Sequence, residues 1–388
     1  MEVPIPSHVA PAVASVWEQD VWFGDVDLLV AGGGLLGLWT AIEAKTQNPS
    51  WKVLVAEQHA VPYGASTRNA GFACFGSASE LSHDISLSGE DAVMRLVEWR
   101  WKGIRKIATT FAAASIGLEW CGGYEFLQDS NVHTTLEQLE HLNALVAPIV
   151  GVSNCFSQIE PEKWPYTARS FQALVCNARE GVLHSGLYVN ALMNLAREKG
   201  VTLMHGLEWL ETDESKDWLT IFTNRGKLRA RLLVHATNAE LTKHFPRLGV
   251  EPGRGQVMVA SLGKPLQWRG SFHAREGFYY WRNLDGRLLI GGGRHTDIEG
   301  ERTLDKHTTT AMLDHLREFV MHHFDCKQMI IDHAWAGTMA FTPNKQPLCE
   351  KLSPRSWAAM CCNGMGVALS PFFAERIVAE MSETLNHG

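Results

Sequence analysis

The run Asp25-Val-Asp-Leu-Leu-Val-Ala31 leads directly into Gly32-Gly-Gly-Leu-Leu-Gly37, and this stretch decides the fold. Its first part is a short apolar run of the kind that forms a buried strand. A helix is predicted over Leu38 to Lys45, ending before Pro49, and Lys52-Val-Leu-Val-Ala-Glu57 is predicted as a second strand that ends on an acid. Strand, glycine turn, helix and strand in this order predict a βαβ unit of an α/β protein.

The spacing of the glycines predicts that this turn binds a dinucleotide. Gly32 allows the tight turn, Gly34 lets a pyrophosphate approach the backbone, and Gly37 lets the helix pack closely on the strand. The N-terminus of the helix offers free N–H groups and a positive dipole end to phosphates, and we expect Leu35 and Leu36 of the turn to bind the cofactor. Glu57 follows Gly37 by 20 residues, where an acid accepts hydrogen bonds from both ribose hydroxyls.

A second fingerprint of this kind is missing from the sequence. The triple glycine at 291–293 is followed by Arg-His-Thr-Asp-Ile-Glu, which does not open an apolar helix. An enzyme that passes electrons from a nicotinamide to a flavin normally carries two fingerprints. A single one leaves either NAD alone or FAD alone.

The composition narrows the classes of function. At roughly 150 residues per domain, a chain of 388 residues is expected to form two or three domains. The 35 Lys and Arg against 42 Asp and Glu give a charge of −7, so we expect no binding of nucleic acid. No apolar run reaches the ~20 residues of a membrane span, and no secretory signal is visible, so we expect a cytoplasmic protein. The histidines and cysteines lack metal-binding spacings, so no metal site is expected.

The rest of the chain alternates between helical and strand-rich regions. Helices are predicted over 92–111, 136–145, 189–199 and 308–324, and hairpins over 219–235 and, through Asp285-Gly286, over 277–290. A last strand over Ser356–Cys362, a glycine turn and a helix to about Leu385 close the chain. Segments of nucleotide-binding type therefore open, interrupt and close the sequence, which predicts two interleaved domains.

Four further stretches carry a resemblance to a known family. They are Gly64-Ala-Ser-Thr-Arg-Asn-Ala-Gly-Phe-Ala-Cys-Phe-Gly76, His235-Ala-Thr-Asn-Ala239, Tyr279-Tyr-Trp-Arg-Asn-Leu-Asp-Gly-Arg-Leu-Leu-Ile-Gly-Gly-Gly293 and Asn363-Gly-Met-Gly-Val-Ala-Leu-Ser-Pro371. Together they resemble the D-amino-acid oxidase superfamily, which includes glycine oxidase, sarcosine oxidase and γ-glutamylputrescine oxidase. The third stretch is most similar to the γ-glutamylputrescine oxidase branch.

The resemblance implies an α/β (α+β) two-domain flavoprotein, with a Rossmann-type FAD-binding domain interleaved with a mixed-sheet substrate domain. We expect an N-terminal extension over 1–24, FAD-binding segments over 25–82, 155–240 and 334–388, and substrate-domain segments over 83–154 and 241–333. The residues that the resemblance brings to FAD, in addition to the glycine turn and Glu57, are Ser66, Arg68, Asn69, Ala70, Gly71, Leu207, Asn238, Gly364, Met365, Gly366, Val367 and Ala368.

The chemistry implied by the resemblance is oxidation of a C–N bond in an amine or amino acid. Hydride transfer to flavin N5 would give an imine, and oxygen or a quinone-linked acceptor would take the electrons. Such a reaction needs a neutral amine, an oriented C–H bond and exclusion of water more than an acid/base pair. We expect Tyr280 and His295 to face the substrate.

The sequence departs from the family at three points. Met339 stands where glycine oxidases carry the arginine that binds the substrate carboxylate, and Ala368 stands where sarcosine oxidases have a lysine. No cysteine lies in 335–343, the region of the covalent flavin link in sarcosine oxidases, so we expect non-covalent FAD. Either the substrate lacks an α-carboxylate, or another cation binds it, with Arg254, Arg282 and Arg294 as candidates.

Two other functions remain open at this point. One is oxidation of a 2-hydroxy acid, which would require a histidine base and a cation for the carboxylate. The other is a flavin-binding protein with a degenerate, non-catalytic pocket. Reduction of the flavin by substrate separates the last from both enzymes, and release of ammonia or amine separates the two enzymes.

Overall fold

The computed structural model describes residues 15–128, 131–166, 170–360 and 363–386. Most of the predicted N-terminal extension, residues 1–14, lies outside this range, as do Cys361 and Cys362 at the end of the predicted last strand.

The described residues form helices and strands in alternation along the chain. The helices are Val16–Val21 (α1), Leu35–Gln47 (α2), Ala65–Arg68 (α3), Ala78–Ser88 (α4), Glu90–Thr110 (α5), Ala113–Ile116 (α6), Asn131–Val150 (α7), Ser185–Glu198 (α8), Leu241–His244 (α9), Thr310–His323 (α10) and Gly366–Asn386 (α11). Short 3-10 turns cover Pro161–Lys163, Asn238–Glu240, Pro246–Leu248 and Arg294–Thr296.

The strands are Val26–Ala31 (β1), Val53–Glu57 (β2), Phe72–Ala73 (β3), Gly123–Leu127 (β4), Phe156–Ile159 (β5), Ala173–Asn177 (β6), Gly181–Val182 (β7), Thr202–His205 (β8), Trp209–Glu214 (β9), Leu219–Thr223 (β10), Gly226–His235 (β11), Glu251–Ser261 (β12), Ser271–Ala274 (β13), Tyr279–Leu284 (β14), Arg287–Gly292 (β15), Ile330–Phe341 (β16), Leu348–Ser353 (β17) and Ser356–Met360 (β18). They form two eight-stranded sheets and the small pair β3–β7. The predicted α/β class with two sheets is confirmed.

The first sheet is built around the βαβ unit read from the sequence. Its strands follow the order β17-β18-β11-β1-β2-β8, and β10 and β9 extend from β11. The strands β11, β1, β2 and β8 run parallel. Leu28 and Val30 pack into the core beneath α2, while Leu29 and Ala31 pack on the opposite face against β10 and β11. A strand buried on both faces is typical of a parallel sheet covered on both sides.

Helix α2 is longer than the sequence predicted, since it begins at Leu35 rather than at Leu38. Gly34 caps it in an extended conformation, so the glycine turn reaches the helix without further loop residues. Nine residues of α2 are buried, which shows that packing on the sheet fixes its position.

The second sheet has the order β16-β12-β15-β14-β13-β4-β6-β5 and is mixed, since β13 and β4 are parallel. The predicted Asp285-Gly286 hairpin joins β14 and β15, and both turn residues have positive φ, at 52° and 82°. This is the backbone that a two-residue hairpin turn requires. Helix α10 covers one face of the sheet through Leu316 and Phe319. The other face presents Val257 and Tyr280.

Three strands do not pair as the predicted domain segments imply. Strands β5 and β6 fall in the segment 155–240, yet they extend the second sheet through pairing of β6 with β4. Strand β16 begins within the substrate-domain segment and ends in the FAD-binding one, and it pairs with β12 from Glu251 to Ser261. The boundaries were predicted from stretches of sequence, whereas these strands join their sheet by pairing with segments far away in the chain. The division into FAD-binding and substrate domains stays a prediction.

Helix α5 also joins the two predicted domains. It packs along α11, where Gly103 lets the helices approach so closely that a Cβ at this position would lie 1.8 Å from the carbonyl oxygen of Ala368. None of the helices in the described part of the chain is both long and apolar enough to cross a membrane.

Candidate cofactor and substrate site

The glycine turn has the tight geometry that its spacing predicted. Gly32 has φ of 112°, and a Cβ there would lie 2.5 Å from the carbonyl oxygen of Ala236 on the neighbouring loop. A Cβ on Gly34 would lie 2.8 Å from Oγ of Ser66, and one on Gly37 would lie 1.9 Å from the carbonyl oxygen of Gly32. Backbone oxygens therefore exclude a larger side chain at Gly32 and Gly37, and at Gly34 the hydroxyl of Ser66 would have to move.

Free donors remain at the start of α2. The N–H of Leu35 donates to Oγ of Ser66 at 2.9 Å. Within the described residues, no acceptor takes the N–H groups of Gly34 and Leu36, which both line the large cavity beside this turn. Unpaired N–H groups at a helix N-terminus are an anion site, so the turn fits a pyrophosphate.

Glu57 ends β2 and is held by two backbone donors. Its Oε2 accepts from the N–H of Gly33, and its Oε1 accepts from the N–H of His59, both at 3.0 Å. The side chain is buried except where it faces the cavity. A carboxylate has about four acceptor sites, so two are left for the hydroxyls of a ribose.

The cavity beside the turn has a volume of about 640 Å³ and runs from β2 to the start of α11. The predicted cofactor residues that line it are Gly32, Gly34, Leu35, Leu36, Glu57, Ser66, Asn69, Leu207, Asn238, Gly364, Gly366 and Val367. Those that do not line it are Gly37, Arg68, Ala70, Gly71, Met365 and Ala368. An elongated cavity with free N–H donors in its wall and an oriented carboxylate at one side fits a dinucleotide.

Arg68 contacts the second sheet rather than a surface carboxylate. Its guanidinium donates to the carbonyl oxygen of Ala336 and lies 3.8 Å from the ring centroid of Tyr63. The indole N–H of Trp335 donates to the carbonyl oxygen of Arg68 at 3.0 Å. Arg68 therefore fastens the loop after α3 to β16.

The neighbouring loop residues are fixed by their own hydrogen bonds. Oδ1 of Asn69 accepts from the N–H of Gly71 at 2.9 Å and from the hydroxyl of Ser185 at 2.7 Å. Asn238 adopts a positive φ of 55°, and its side chain donates to the carbonyl oxygen of Thr338 at 3.0 Å. Ala368, in contrast, is buried where α11 contacts α5 and does not line the cavity.

Tyr280 lies on the face of the second sheet that points towards Ala70 and Trp335. Its hydroxyl lies over Gly291, where a Cβ would come within 2.6 Å of it, and 3.6 Å from the Cβ position of Gly255. The same Gly255 position lies 3.0 Å from the terminal methyl of Met339. Burial raises the pKa of Tyr280 to about 12, against the charge of Arg294. The hydroxyl therefore stays protonated at neutral pH.

His295 does not join Tyr280. Its ring packs on Phe278 and on Tyr279, at centroid distances of 4.9 and 5.3 Å. Tyr279 packs on α10, and successive strand residues point to opposite faces, so Tyr280 faces the other way. Burial, with help from Arg275, lowers the pKa of His295.

A histidine that sequence reasoning missed lies next to Tyr280. His273 is paired with Tyr280 in register across β13 and β14, and Phe72 contacts both rings. Burial lowers the pKa of His273 to about 4, so its imidazole is neutral at neutral pH. Its buried Nε2 has no hydrogen-bond partner. No sequence motif marked this residue, since its position depends on strand register.

The three candidate cations differ in what already surrounds them. Arg254 is buried and donates to Glu301 at 2.8 Å and to Asp305 at 3.2 Å. Arg282 donates to the carbonyl oxygen of Leu183 at 2.8 Å and more weakly to those of residues 70 and 71. Both are therefore committed to contacts within the protein.

Arg294 is placed differently. Its guanidinium lies 4.4 Å from the ring centroid of Phe341 and next to Gly253, and no described residue accepts a hydrogen bond from it or pairs with its charge. Burial lowers its pKa, while Glu301 and Tyr280 act in the opposite direction. Gly253 pairs in register with Met339, so Arg294 brings a cation close to the strand position from which the expected arginine is missing.

The turn, the cavity and the two sheets fit a protein that binds a dinucleotide. The family model for FAD dependent oxidoreductases matches residues 27–381, and the chain belongs to this family. The described residues contain no group of three or more His, Cys, Asp or Glu side chains that could hold a metal ion.

Two curated relatives cover most of the chain. The chain is 24% identical over 384 residues to the probable oxidoreductase OrdL of Haemophilus influenzae, across 91% of this chain and 82% of that protein. It is 21% identical over 366 residues to the probable oxidoreductase OrdL of Rhizobium meliloti, across 92% and 82% of the two chains.

Solved structures share the fold at lower identity. Glycine oxidase from Geobacillus kaustophilus superposes with a TM-score of 0.74 at 19% identity, over 92% of this chain and 95% of that one. L-Proline dehydrogenase from P. horikoshii gives a TM-score of 0.70 at 18% identity, over 92% and 94%. The match to the family model over residues 27–381 confirms the resemblance to the D-amino-acid oxidase superfamily, and these structures share the fold.

Proposed function

We propose that this chain binds FAD without a covalent link and oxidises the C–N bond of an amine that carries a carboxylate, giving an imine that water hydrolyses. The family supports oxidoreductase chemistry with FAD. The observation that carries the substrate class is Arg294, a half-buried guanidinium beside Tyr280 that forms no hydrogen bond or ion pair with a described residue. A cation without an acceptor inside a protein is costly unless an anionic ligand completes its contacts.

The residues of the turn and the cavity would hold the cofactor. The helix start at Leu35 would bind the pyrophosphate, Glu57 the ribose, and the strand-to-helix turn at Gly364 and Gly366 the flavin end. Bound FAD would supply the acceptor for the hydride that leaves the substrate carbon. The sequence 335–343 contains no cysteine, which supports a non-covalent complex.

The chain's own groups would bind and orient the substrate. Arg294 would pair with its carboxylate, and the Tyr280 hydroxyl would donate a hydrogen bond to the same group because it stays protonated. Phe72, Trp335 and Met339 would exclude water around the C–H bond. None of these residues has to take a proton from the carbon, because the C–H hydrogen would leave as a hydride.

The test is the substitution Arg294→Met in the FAD-loaded protein. Losing a charge-assisted contact costs about 1.5–3 kcal/mol, so kcat/KM for a carboxylate-bearing amine should fall about 10- to 100-fold, with Arg294→Lys retaining part of it. The decarboxylated amine should be oxidised equally by both proteins. Arg269→Met, at a side chain that is 79% exposed, is the matched control. Equal kcat/KM for both substrates in wild type and R294M would contradict the carboxylate assignment.

A second candidate function is oxidation of a 2-hydroxy acid. The observation in its favour is His273, a neutral buried imidazole next to Tyr280 with an unpartnered Nε2 that could accept a hydroxyl proton. The two reactions differ in their products, because one equivalent of ammonia or amine is released per substrate only from a C–N bond. A keto acid formed without either would favour the hydroxy-acid reaction. A bound flavin that no substrate reduces would favour a non-catalytic flavin protein.

A further inference from the structure

A segment of the second half of the chain reaches the mouth of the large cavity. Residues 300–309 connect the turn after β15 to α10, and Leu304 and Lys306 from this segment line the cavity. This segment carries no glycine motif, so its place at the cavity was not predicted from the sequence.

Buried hydrogen bonds from β12 hold this segment in place. Arg254 donates to both carboxylate oxygens of Glu301, to Asp305 and to the carbonyl oxygen of His307. Gln256 donates to Glu301 at 2.7 Å and accepts from the N–H of Thr309 at 2.8 Å. A connection fixed at both ends by buried side chains positions its cavity-lining residues firmly.

Lys306 is the mostly buried cation of this segment. Its side chain is 19% exposed, and its Nζ lies 3.6 Å from Oε1 of Glu240, which is too long for a hydrogen bond. The other oxygen of Glu240 already pairs with Lys243 at 2.6 Å. One carboxylate therefore faces two ammonium groups, so the positive charge of Lys306 is only partly compensated by the described residues.

The position of Lys306 along the cavity indicates what would complete its contacts. Its Nζ lies 5.7 Å from the ring centroid of Tyr63, three residues before Ser66. Ser66 is the residue whose hydroxyl accepts from Leu35 at the start of α2. Lys306 and Tyr63 line the same cavity as the free N–H donors of the glycine turn, and those donors mark where a dinucleotide would have its two phosphate charges.

We propose that Lys306 is a binding residue for the pyrophosphate of FAD, contributed from the second sheet's side of the cavity and held there by Arg254. This rests on the proposed binding of FAD in the cavity. The glycine turn supplies dipoles and N–H groups, and Lys306 supplies the full positive charge that the turn itself lacks.

The test compares ligands with and without phosphate on apo-protein. Isothermal titration calorimetry would give Kd values of wild type and Lys306→Met for FAD, ADP and adenosine. We expect about tenfold weaker binding of FAD and ADP by K306M and a change of less than about twofold for adenosine. Lys306→Arg should recover most of the loss, and raising NaCl should weaken FAD binding less in K306M than in wild type.

The control is Lys264→Met, at an exposed lysine that does not line the cavity, which should match wild type for all three ligands. Equal losses for ADP and adenosine in K306M, or no loss for either, would overturn the role of Lys306. In that case tight FAD binding by the wild type would leave the proposed function standing. A wild-type chain that binds no FAD would overturn both.

Discussion

Replacing Gly37 by alanine tests the packing on which the glycine turn depends. The new Cβ would lie 1.9 Å from the carbonyl oxygen of Gly32 and 3.2 Å from a methyl of Val30. Ordinary contacts are about 3.5 Å or more, so α2 would have to move away by roughly 1.5 Å. Nine buried residues of α2 would move with it. Overpacking of this kind costs about 1–3 kcal/mol, and the backbone contact favours the upper end.

The assay is thermal unfolding of the apo-protein, followed by calorimetric titration with FAD. A cost of about 3 kcal/mol corresponds to a fall in Tm on the order of 6–12 °C for a domain of about 150–250 residues. FAD should also bind more weakly, because the N–H groups at the start of α2 would be displaced. For the unfolding measurement, Gly64→Ala is the matched control, since Gly64 has φ of −103° and an open Cβ position. An unchanged Tm in G37A would refute the reasoning about this contact.

Three further substitutions test single side chains. Glu57→Gln should weaken adenosine and FAD binding in calorimetry, because the amide can accept from only one of its two backbone donors; unchanged Kd values would contradict the ribose role. Burial lowers the pKa of His235 to about 3, so the protein loses stability as pH falls below 6.5, where the histidine of the unfolded chain gains a proton. Between pH 7 and 5, His235→Phe should therefore lose about 2 kcal/mol less free energy of unfolding than wild type, measured by urea unfolding. Parallel pH profiles of the two proteins would contradict this. Burial raises the pKa of Glu180 to about 8, so the wild type loses stability as pH rises from 4.5 to 8. Glu180→Gln keeps the hydrogen bonds from the N–H groups of Phe75 and Gly76 and should flatten this part of the curve of unfolding free energy against pH. An unchanged slope would argue against a protonated Glu180.

Local signals in the sequence predicted the elements that depend on neighbouring residues. The glycine turn with α2 and the Asp285-Gly286 hairpin follow from backbone requirements that only particular residues meet. Their identification needed no knowledge of distant contacts. Positions along the large cavity, such as Glu57 and Ser66, were found in the same way, through their spacing from the turn or through the resemblance.

The parts of the fold and the site that depend on contacts between distant segments could not be predicted from the sequence. The joining of β16 to β12 and the reach of Lys306 into the cavity depend on contacts between segments far apart in the chain. From the sequence, Arg254, Arg282 and Arg294 were equal candidates for binding a substrate carboxylate. Their hydrogen-bond partners in the structure distinguish them. His295 and Tyr280 were both predicted to face the substrate; His295 packs on Tyr279, and the alternation of side chains in β14 turns Tyr280 to the other face, so their roles stay a prediction.

The central claim is that a bound flavin takes electrons from a carboxylate-bearing amine. The most direct test is an anaerobic visible spectrum of the FAD-loaded protein during addition of pooled D- and L-amino acids, N-methyl amines and polyamines. We predict that a pool of amino acids or N-substituted amino acids bleaches the flavin band. One ammonia or amine should be released for each flavin that is reduced. A protein that binds no flavin after reconstitution, or a flavin that none of these pools reduces, would contradict the account.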